Sequence, residues 1–206
     1  MPGYKNGMTK VVLDISMSLD GYVTGPGAGP TNGLGDGGDA LHTWVFDGKS
    51  DADAEILRRA LERTGAVVMG RRTYDVVDGP RGWGDERAFG GEPGETRPPP
   101  NIVVTHHPPG SVRLAGIFTF VMDGLDVAID RAREVAGDRD VTVMGGASVI
   151  DQCLSAGLGD ELWIHLAPVL LGACTRLFAA PDPGSTDLDQ LEVVVTPSAT
   201  HLHYLL

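Results

Sequence analysis

The stretch Val141–Gln152, VTVMGGASVIDQ, decides how this chain is read. Val141–Met144 is a short apolar run with the length of a buried strand. Ala147–Leu154 follows as a helix, with Val149, Ile150, Cys153 and Leu154 on one face. Gly145 and Gly146 stand at the junction. Glycine there permits backbone angles that a Cβ resists and lets another group come close to the chain. The start of the following helix offers unpaired N–H groups and a positive dipole end. Two readings are open at this point: a seat for a phosphate, and a tight turn that needs only small residues.

The same logic recurs in Val67–Asp75, VVMGRRTYD. A buried strand ends in Gly70, and Arg71, Arg72 and Thr73 open a helix. Arginine forks suit phosphate oxygens, and two arginines beside a helix N-terminus are unfavourable unless an anion joins them. The alternative is a solvated helix start. Asn101–Gly110, NIVVTHHPPG, is a third strand end, where Thr105 and His106 are candidates for a sugar or phosphate contact. Ligands of open α/β sheets bind beyond the carboxyl ends of the strands, so three such ends suggest a ligand with two anionic parts.

Working outward, strands are expected at Val11–Ser16, Ala66–Met69, Ile102–Thr105, Ile117–Val121, Val141–Met144, Glu161–Leu166, Leu191–Thr196 and Thr200–Leu206. Helices are expected at Asp51–Arg63, capped by Asp51 or Asp53, after Gly70, and at Leu125–Ala136 and Ala147–Leu154. The pattern is an α/β sheet, mostly parallel, with helices on both faces and an antiparallel C-terminal edge. The 206 residues read as a single domain, with Gly- and Pro-rich loops at about 25–38 and 79–100. Loops of that length are functional or mobile in compact domains.

The net charge is −12 and the pI about 4.7. That opposes nucleic acid or an anionic membrane as partner. Met1–Thr9 lacks the apolar stretch of a signal peptide, and no apolar run approaches a membrane span, so the expected place is the cytoplasm. The two cysteines, Cys153 and Cys174, sit in apolar contexts and read as buried thiols rather than a disulfide. His165, His201 and His203 invite a metal, but no acid or cysteine joins them at a recognised spacing, and no metal is expected. A P-loop, a full Rossmann fingerprint and a Ser-His-Asp arrangement are absent.

MGRRTYD, NIVVTHHPPG and VTVMGGASVIDQCL, in that order, resemble the three NADPH-binding segments of the dihydrofolate reductase fold. ISMSLDGYVTG and DELWIHLAPVLLG resemble the bacterial reductase family that shares this fold with the C-terminal domain of the riboflavin-pathway reductase. The resemblance covers essentially the whole chain. It implies that Gly70, Arg71, Arg72 and Thr73 hold the 2′-phosphate side and the pyrophosphate, with Thr105 and His106 beside the adenosine ribose phosphate. Gly145, Gly146, Ala147, Ser148 and Val149 would take the pyrophosphate. Ile15, Ser16 and the loop through Thr24 would approach the nicotinamide. The cofactor is expected to be NADPH, preferred over NADH through Arg71 and Arg72, and a homodimer is implied by the same resemblance.

The substrate side is less defined. Dihydrofolate reductases hold the pterin with an acid on the first long helix, where this chain offers Asp51, Asp53 and Glu55. Asp53 is the substrate candidate among them, and cap and first-turn acids are the competing reading. Trp44 and Phe46 are candidates to wall a flat substrate, or to anchor the glycine-rich loop. Asp20 is the candidate proton donor, or a turn residue. Riboflavin-pathway reductases typically carry an acid before the Gly-Gly pair, where this chain has Met144. The expected function is NADPH-dependent hydride transfer to a small pterin-like or other heterocyclic substrate. The alternatives are a riboflavin-pathway pyrimidine reductase and a non-catalytic NADPH-binding protein.

Overall fold

The computed structural model describes residues 9–46, 49–84, 99–179 and 187–206. Eight strands follow in chain order: β1 Val11–Ser18, β2 Thr64–Gly70, β3 Asn101–Val104, β4 Phe118–Val121, β5 Asp140–Val143, β6 Glu161–Ala167, β7 Asp189–Val195 and β8 Thr200–Leu205. Four α-helices accompany them: α1 Asp51–Arg63, α2 Arg71–Val77, α3 Leu125–Ala136 and α4 Ala147–Ser155. A short 3-10 turn covers Gly38–His42.

The strands form one sheet in the order β4-β3-β2-β5-β1-β6-β8-β7. From β4 to β6 all pairings are parallel, and β8 runs antiparallel between β6 and β7. The mostly parallel sheet with an antiparallel C-terminal edge is the architecture that the sequence pattern implies. Crossovers that step toward β4 use α1 and α2, on one face. Those that step back toward β6 use α3 and α4, on the other, as a uniform crossover hand requires.

The central strands are buried on both faces and therefore read as continuous apolar runs. Leu13, Ile15, Val68, Val141 and Val143 pack with Ile129 of α3 and Ile150 of α4. On the opposite face Val12 and Trp163 pack with Trp44 and Ile56, and Val67, Met69 and Val103 pack with Tyr74 and Val77 of α2. Among the described residues no helix is long and apolar enough to cross a membrane.

Two local expectations change. The cap of α1 is Ser50, whose hydroxyl accepts the Asp53 N–H while the Asp53 carboxylate accepts the Ser50 N–H. A capping box satisfies two helix-end donors at once, which neither Asp51 nor Asp53 could do alone as cap. Cys153 is buried, its thiol pushed up to about 12 by burial, but Cys174 is exposed. It lies in the loop after β6, where the apolar neighbour that suggested burial, Leu170, is itself 70% exposed. Of the loop expected at 79–100, residues 85–98 lie outside the described residues. The loop at 25–38 folds back on itself, with Gly25 N–H donating to Leu34 C=O and Asp36 N–H to Pro26 C=O.

Candidate functional site

The ends of β3, β2 and β5 lie side by side in the sheet, so the three strand-end motifs converge on one edge. The Gly70 N–H donates to the Gly145 carbonyl at 2.9 Å, which ties the starts of α2 and α4 together. Three glycines are needed there for different reasons. A Cβ on Gly70 would come within 2.8 Å of Val149 Cγ2, and one on Gly146 within 3.3 Å of Thr73 Oγ1. Gly145 has φ +110°, a conformation open chiefly to glycine. The Gly145–Gly146 peptide is cis.

The result is a cradle of bare backbone. Gly146 caps α4 without any side-chain bond, and no described group accepts the N–H of Ala147 or Ser148. Ala147 and Val149 are buried under the cradle while Ser148 is exposed at its rim. Ile15 reaches it from β1, its Cδ1 3.8 Å from the Cβ position of Gly145. Free N–H groups, a helix N-terminus and an adjacent hydroxyl, Thr73, are the donor set that a phosphate diester takes. These residues fit the pyrophosphate of a dinucleotide.

The two arginines have different duties. Arg71 donates from Nε to Asp75 at 2.8 Å and from Nη1 to the His107 carbonyl at 2.7 Å. Two of its five N–H donors hold Asp75 and the β3 loop. Arg72 is exposed and makes no hydrogen bond or ion pair among the described residues. Thr105 is 7% exposed and its hydroxyl closes a turn, donating to His107 C=O and accepting from His107 N–H. Thr105 and Arg71 therefore shape the loop that carries exposed His106.

On the β1 side the strand ladder opens. β5 pairs with β1 only at Val11–Leu13, whereas β6 follows β1 to Ser18. From Asp14 onward β1 has a strand neighbour on one side only, and Ile15 and Ser16 flank that open side from opposite faces of the sheet. Ser16 is 7% exposed and accepts a hydrogen bond from Trp44 Nε1 at 3.1 Å. Thr24 lies nearby in the following loop, its hydroxyl donating to Cys174 Sγ at 3.4 Å.

Asp20 does not have the properties of a proton donor. Its carboxylate accepts from Ser18 Oγ at 2.6 Å, Leu171 N–H at 3.1 Å and Gly172 N–H at 2.7 Å. The Ser18 hydroxyl and these amides lower it to about 2, so it is ionised at neutral pH. It staples the β1 turn to the loop after β6.

The three substrate candidates do not meet. Phe46 is 68% exposed, Trp44 is 4% exposed, and Asp53 is fully buried. Trp44 lies on His165 at 4.2 Å between ring centroids and meets His201 edge-on at 5.0 Å. Asp53 Oδ1 is 2.8 Å from His201 Nε2, and His201 Nδ1 is 2.7 Å from His165 Nδ1. The two His201 contacts are satisfied when His201 keeps Nε2–H for Asp53 and accepts at Nδ1 from His165 Nδ1–H, and the other ring nitrogen of His165, Nε2, lies 3.3 Å from Asp14 Oδ1. Burial lowers His201, which keeps that ring neutral. Burial alone would raise Asp53, but bonds from Ser50 and His201 hold it below the usual range. His203 belongs to another pair, 3.0 Å from Glu161 Oε2. The histidines thus serve side-chain networks that the sequence reading missed. The alternation that puts His201 and His203 on one strand face was the available signal, but their partners are 148 and 42 residues away.

The sheet order and the glycine cradle at its strand ends define a domain of the dihydrofolate reductase-like class. Within that class, the chain belongs to the RibD C-terminal domain family, whose model matches residues 9–202. Solved structures of similar fold include a protein assigned to riboflavin biosynthesis from Shewanella sp. PV-4, at 23% identity and TM-score 0.66, covering 96% of this chain and 98% of that one. Acinetobacter baumannii RibD aligns at 16% identity and TM-score 0.62, covering 97% of this chain and 58% of its own. The Thermotoga maritima diaminohydroxyphosphoribosylaminopyrimidine deaminase/5-amino-6-(5-phosphoribosylamino)uracil reductase aligns at 15% and 0.60, covering 96% of this chain and 56% of its own. No curated protein matches the sequence.

Proposed function

We propose that this chain is an NADPH-dependent oxidoreductase acting on a small heterocycle. The carrying observation is the bare cradle of Gly70, Gly145 and Gly146, with the unpaired N–H groups of Ala147 and Ser148 and the Thr73 hydroxyl around it. Bound there, the dinucleotide would supply a hydride to a C=N or C=O carbon. The chain's own work is to seat the pyrophosphate on α4, to read a 2′-phosphate with Arg72, and to present Ile15 and Ser16 to the open side of β1. Asp20, ionised and fully hydrogen-bonded, takes no proton-transfer role, and the proton for the reduced heteroatom comes from water.

The heterocycle favoured by the family match is a pyrimidine. The Thermotoga relative is named as a reductase of 5-amino-6-(5-phosphoribosylamino)uracil, the phosphoribosylaminouracil used as probe below. Met144 replaces the acid usual in that pathway, and its side chain packs against the Val67–Tyr74 cluster under α2. A neutral residue suits that apolar setting.

A fluorescence titration with NADPH and NADH tests the reading. Native protein should prefer NADPH. Arg72→Ala should cost about tenfold in NADPH affinity and leave NADH unchanged, the usual worth of one exposed charge-assisted phosphate contact. Equal affinity for the two cofactors would remove the 2′-phosphate assignment. Loss of NADPH absorbance on adding the phosphoribosylaminouracil would support the pyrimidine reading. Tight binding without oxidation of NADPH would instead favour a non-catalytic binding protein.

A further inference from the structure

Ser16 has a feature that the cofactor cradle does not use. Its hydroxyl oxygen accepts the Trp44 indole N–H at 3.1 Å, yet its own O–H meets no acceptor among the described residues. A serine hydroxyl carries one proton to donate as well as lone pairs to receive, and buried donors normally find an acceptor. Ser16 is 7% exposed, so little bulk water reaches it. It sits where β1 has lost β5 as neighbour, and its side chain turns to the face that carries α1 and Trp44, while Ile15 beside it turns to the opposite face and the Gly145 cradle.

The direction of that O–H is constrained by Trp44. The indole is 4% exposed and clamped between ring contacts to His165 and His201. Those two imidazoles are bonded to each other and to Asp53. The indole N–H is therefore delivered to Ser16 at a fixed angle. With one lone pair committed to Trp44, the Ser16 proton is left to turn away from the indole, and the strand neighbour that β5 would supply on its other side is missing from Asp14 onward.

We propose that the Ser16 hydroxyl donates to a planar amide-type carbonyl oxygen of the bound ligands, and that Trp44 is the positioning residue that aims it. This rests on the dinucleotide reading above. Two ligand groups share that chemistry: the carboxamide of the nicotinamide and a ring carbonyl of the heterocycle. A hydroxyl donor discriminates against a ligand that lacks the acceptor, because the donor is then left unpaired.

The test compares NADPH, 2′-phospho-ADP-ribose, which lacks the nicotinamide, and the phosphoribosylaminouracil, on native protein, Ser16→Ala and Trp44→Phe. Trp44→Phe keeps a ring near His165 but removes the pyrrole ring together with its N–H, a loss that also costs core packing, so its ligand affinities are read only alongside a thermal melt and against Ser16→Ala, which leaves Trp44 in place. If the acceptor is the carboxamide, Ser16→Ala weakens NADPH about fivefold to tenfold, the worth of one neutral hydrogen bond, and leaves 2′-phospho-ADP-ribose unchanged. Trp44→Phe follows in the same direction with a smaller loss. If the acceptor is the heterocycle, the affinities for NADPH and 2′-phospho-ADP-ribose both hold and KM for the phosphoribosylaminouracil rises in both variants. Either pattern supports the proposal and identifies the acceptor. Unchanged affinities and KM throughout, or equal losses for NADPH and 2′-phospho-ADP-ribose, would overturn it while leaving the dinucleotide reading intact. Failure of native protein to bind either NADPH or 2′-phospho-ADP-ribose would overturn both.

Discussion

Glu161 is 3% exposed and has three cationic or N–H partners: Lys10 Nζ at 2.6 Å, Arg63 Nη2 at 2.9 Å and His203 Nε2 at 3.0 Å. Burial by itself would raise this carboxyl. The bonds from His203, Lys10 and Arg63 outweigh it and hold Glu161 far below the ordinary carboxylate range. A group with a depressed folded pKa gives stability that is present above its unfolded value and lost as pH falls toward the folded one. His201, lowered by burial, obeys the same sign from a higher starting point. Stability should therefore start to fall below about pH 6.5, as unfolded histidine gains its proton, and fall again below about pH 4.3, as unfolded glutamate does. Glu161→Gln should destabilise the protein by about 3 kcal/mol at neutral pH and flatten the lower limb, since it leaves three donors facing a neutral amide. Denaturant melts from pH 4 to 8 would show both, and an unchanged acid limb in the variant would remove Glu161 from this role.

At the scale of elements, the strand–glycine–helix joints were readable because each is written locally. A buried apolar run, a glycine and a polar helix start lie within ten residues in both VVMGRRTYD and VTVMGGASVIDQ. What was not readable is how neighbouring residues divide their work. Arg71 and Arg72 look alike in sequence, and only Asp75 one turn on and the His107 carbonyl across the sheet show that Arg71 also holds the loop after β3. Asp53 and Trp44 were read toward a substrate because their partners His201 and Ser16 lie 148 and 28 residues distant. The joint itself makes a sharp prediction. Gly70→Ala would drive a Cβ to 2.8 Å from Val149 Cγ2, so the end of β2 and the start of α4 must separate. Overpacking of this kind costs about 1–3 kcal/mol, and the displaced α4 start should weaken NADPH binding with it. Gly70→Ala combined with Val149→Ala removes the offending methyl. In a double-mutant cycle the pair should be at least about 1 kcal/mol more stable than the two separate losses add to. Simple additivity would mean that the two elements do not touch at this point.

For the whole molecule, the open question of shape lies at the β7 edge. Among the described residues the sheet ends at β7, and Leu191, Val193 and Val195 are 45%, 43% and 74% exposed. Val193 and Val195 lie opposite Leu202 and Thr200 on the face that carries α4, while Val194 turns inward against Trp44 and Trp163. An exposed apolar edge strand is a template for another strand, and monomeric proteins blunt it with charge, proline or a bulge. β7 has a register shift between Gln190 and Glu192, but Val193–Val195 beyond it is regular and uncharged. The partner that fits is a second copy of this chain, since two antiparallel β7 strands related by a two-fold axis would present the same apolar residues to each other. The native protein should therefore elute as a homodimer of 21.7 kDa chains. Val193→Lys with Val195→Lys should yield a monomer in light scattering, because like charges would face each other across the axis. The cradle residues lie at the far strands β2 and β5, so the monomeric variant should retain NADPH affinity. A native monomer would show that the edge is tolerated bare. A dimer that survives both lysines would place the interface on another surface.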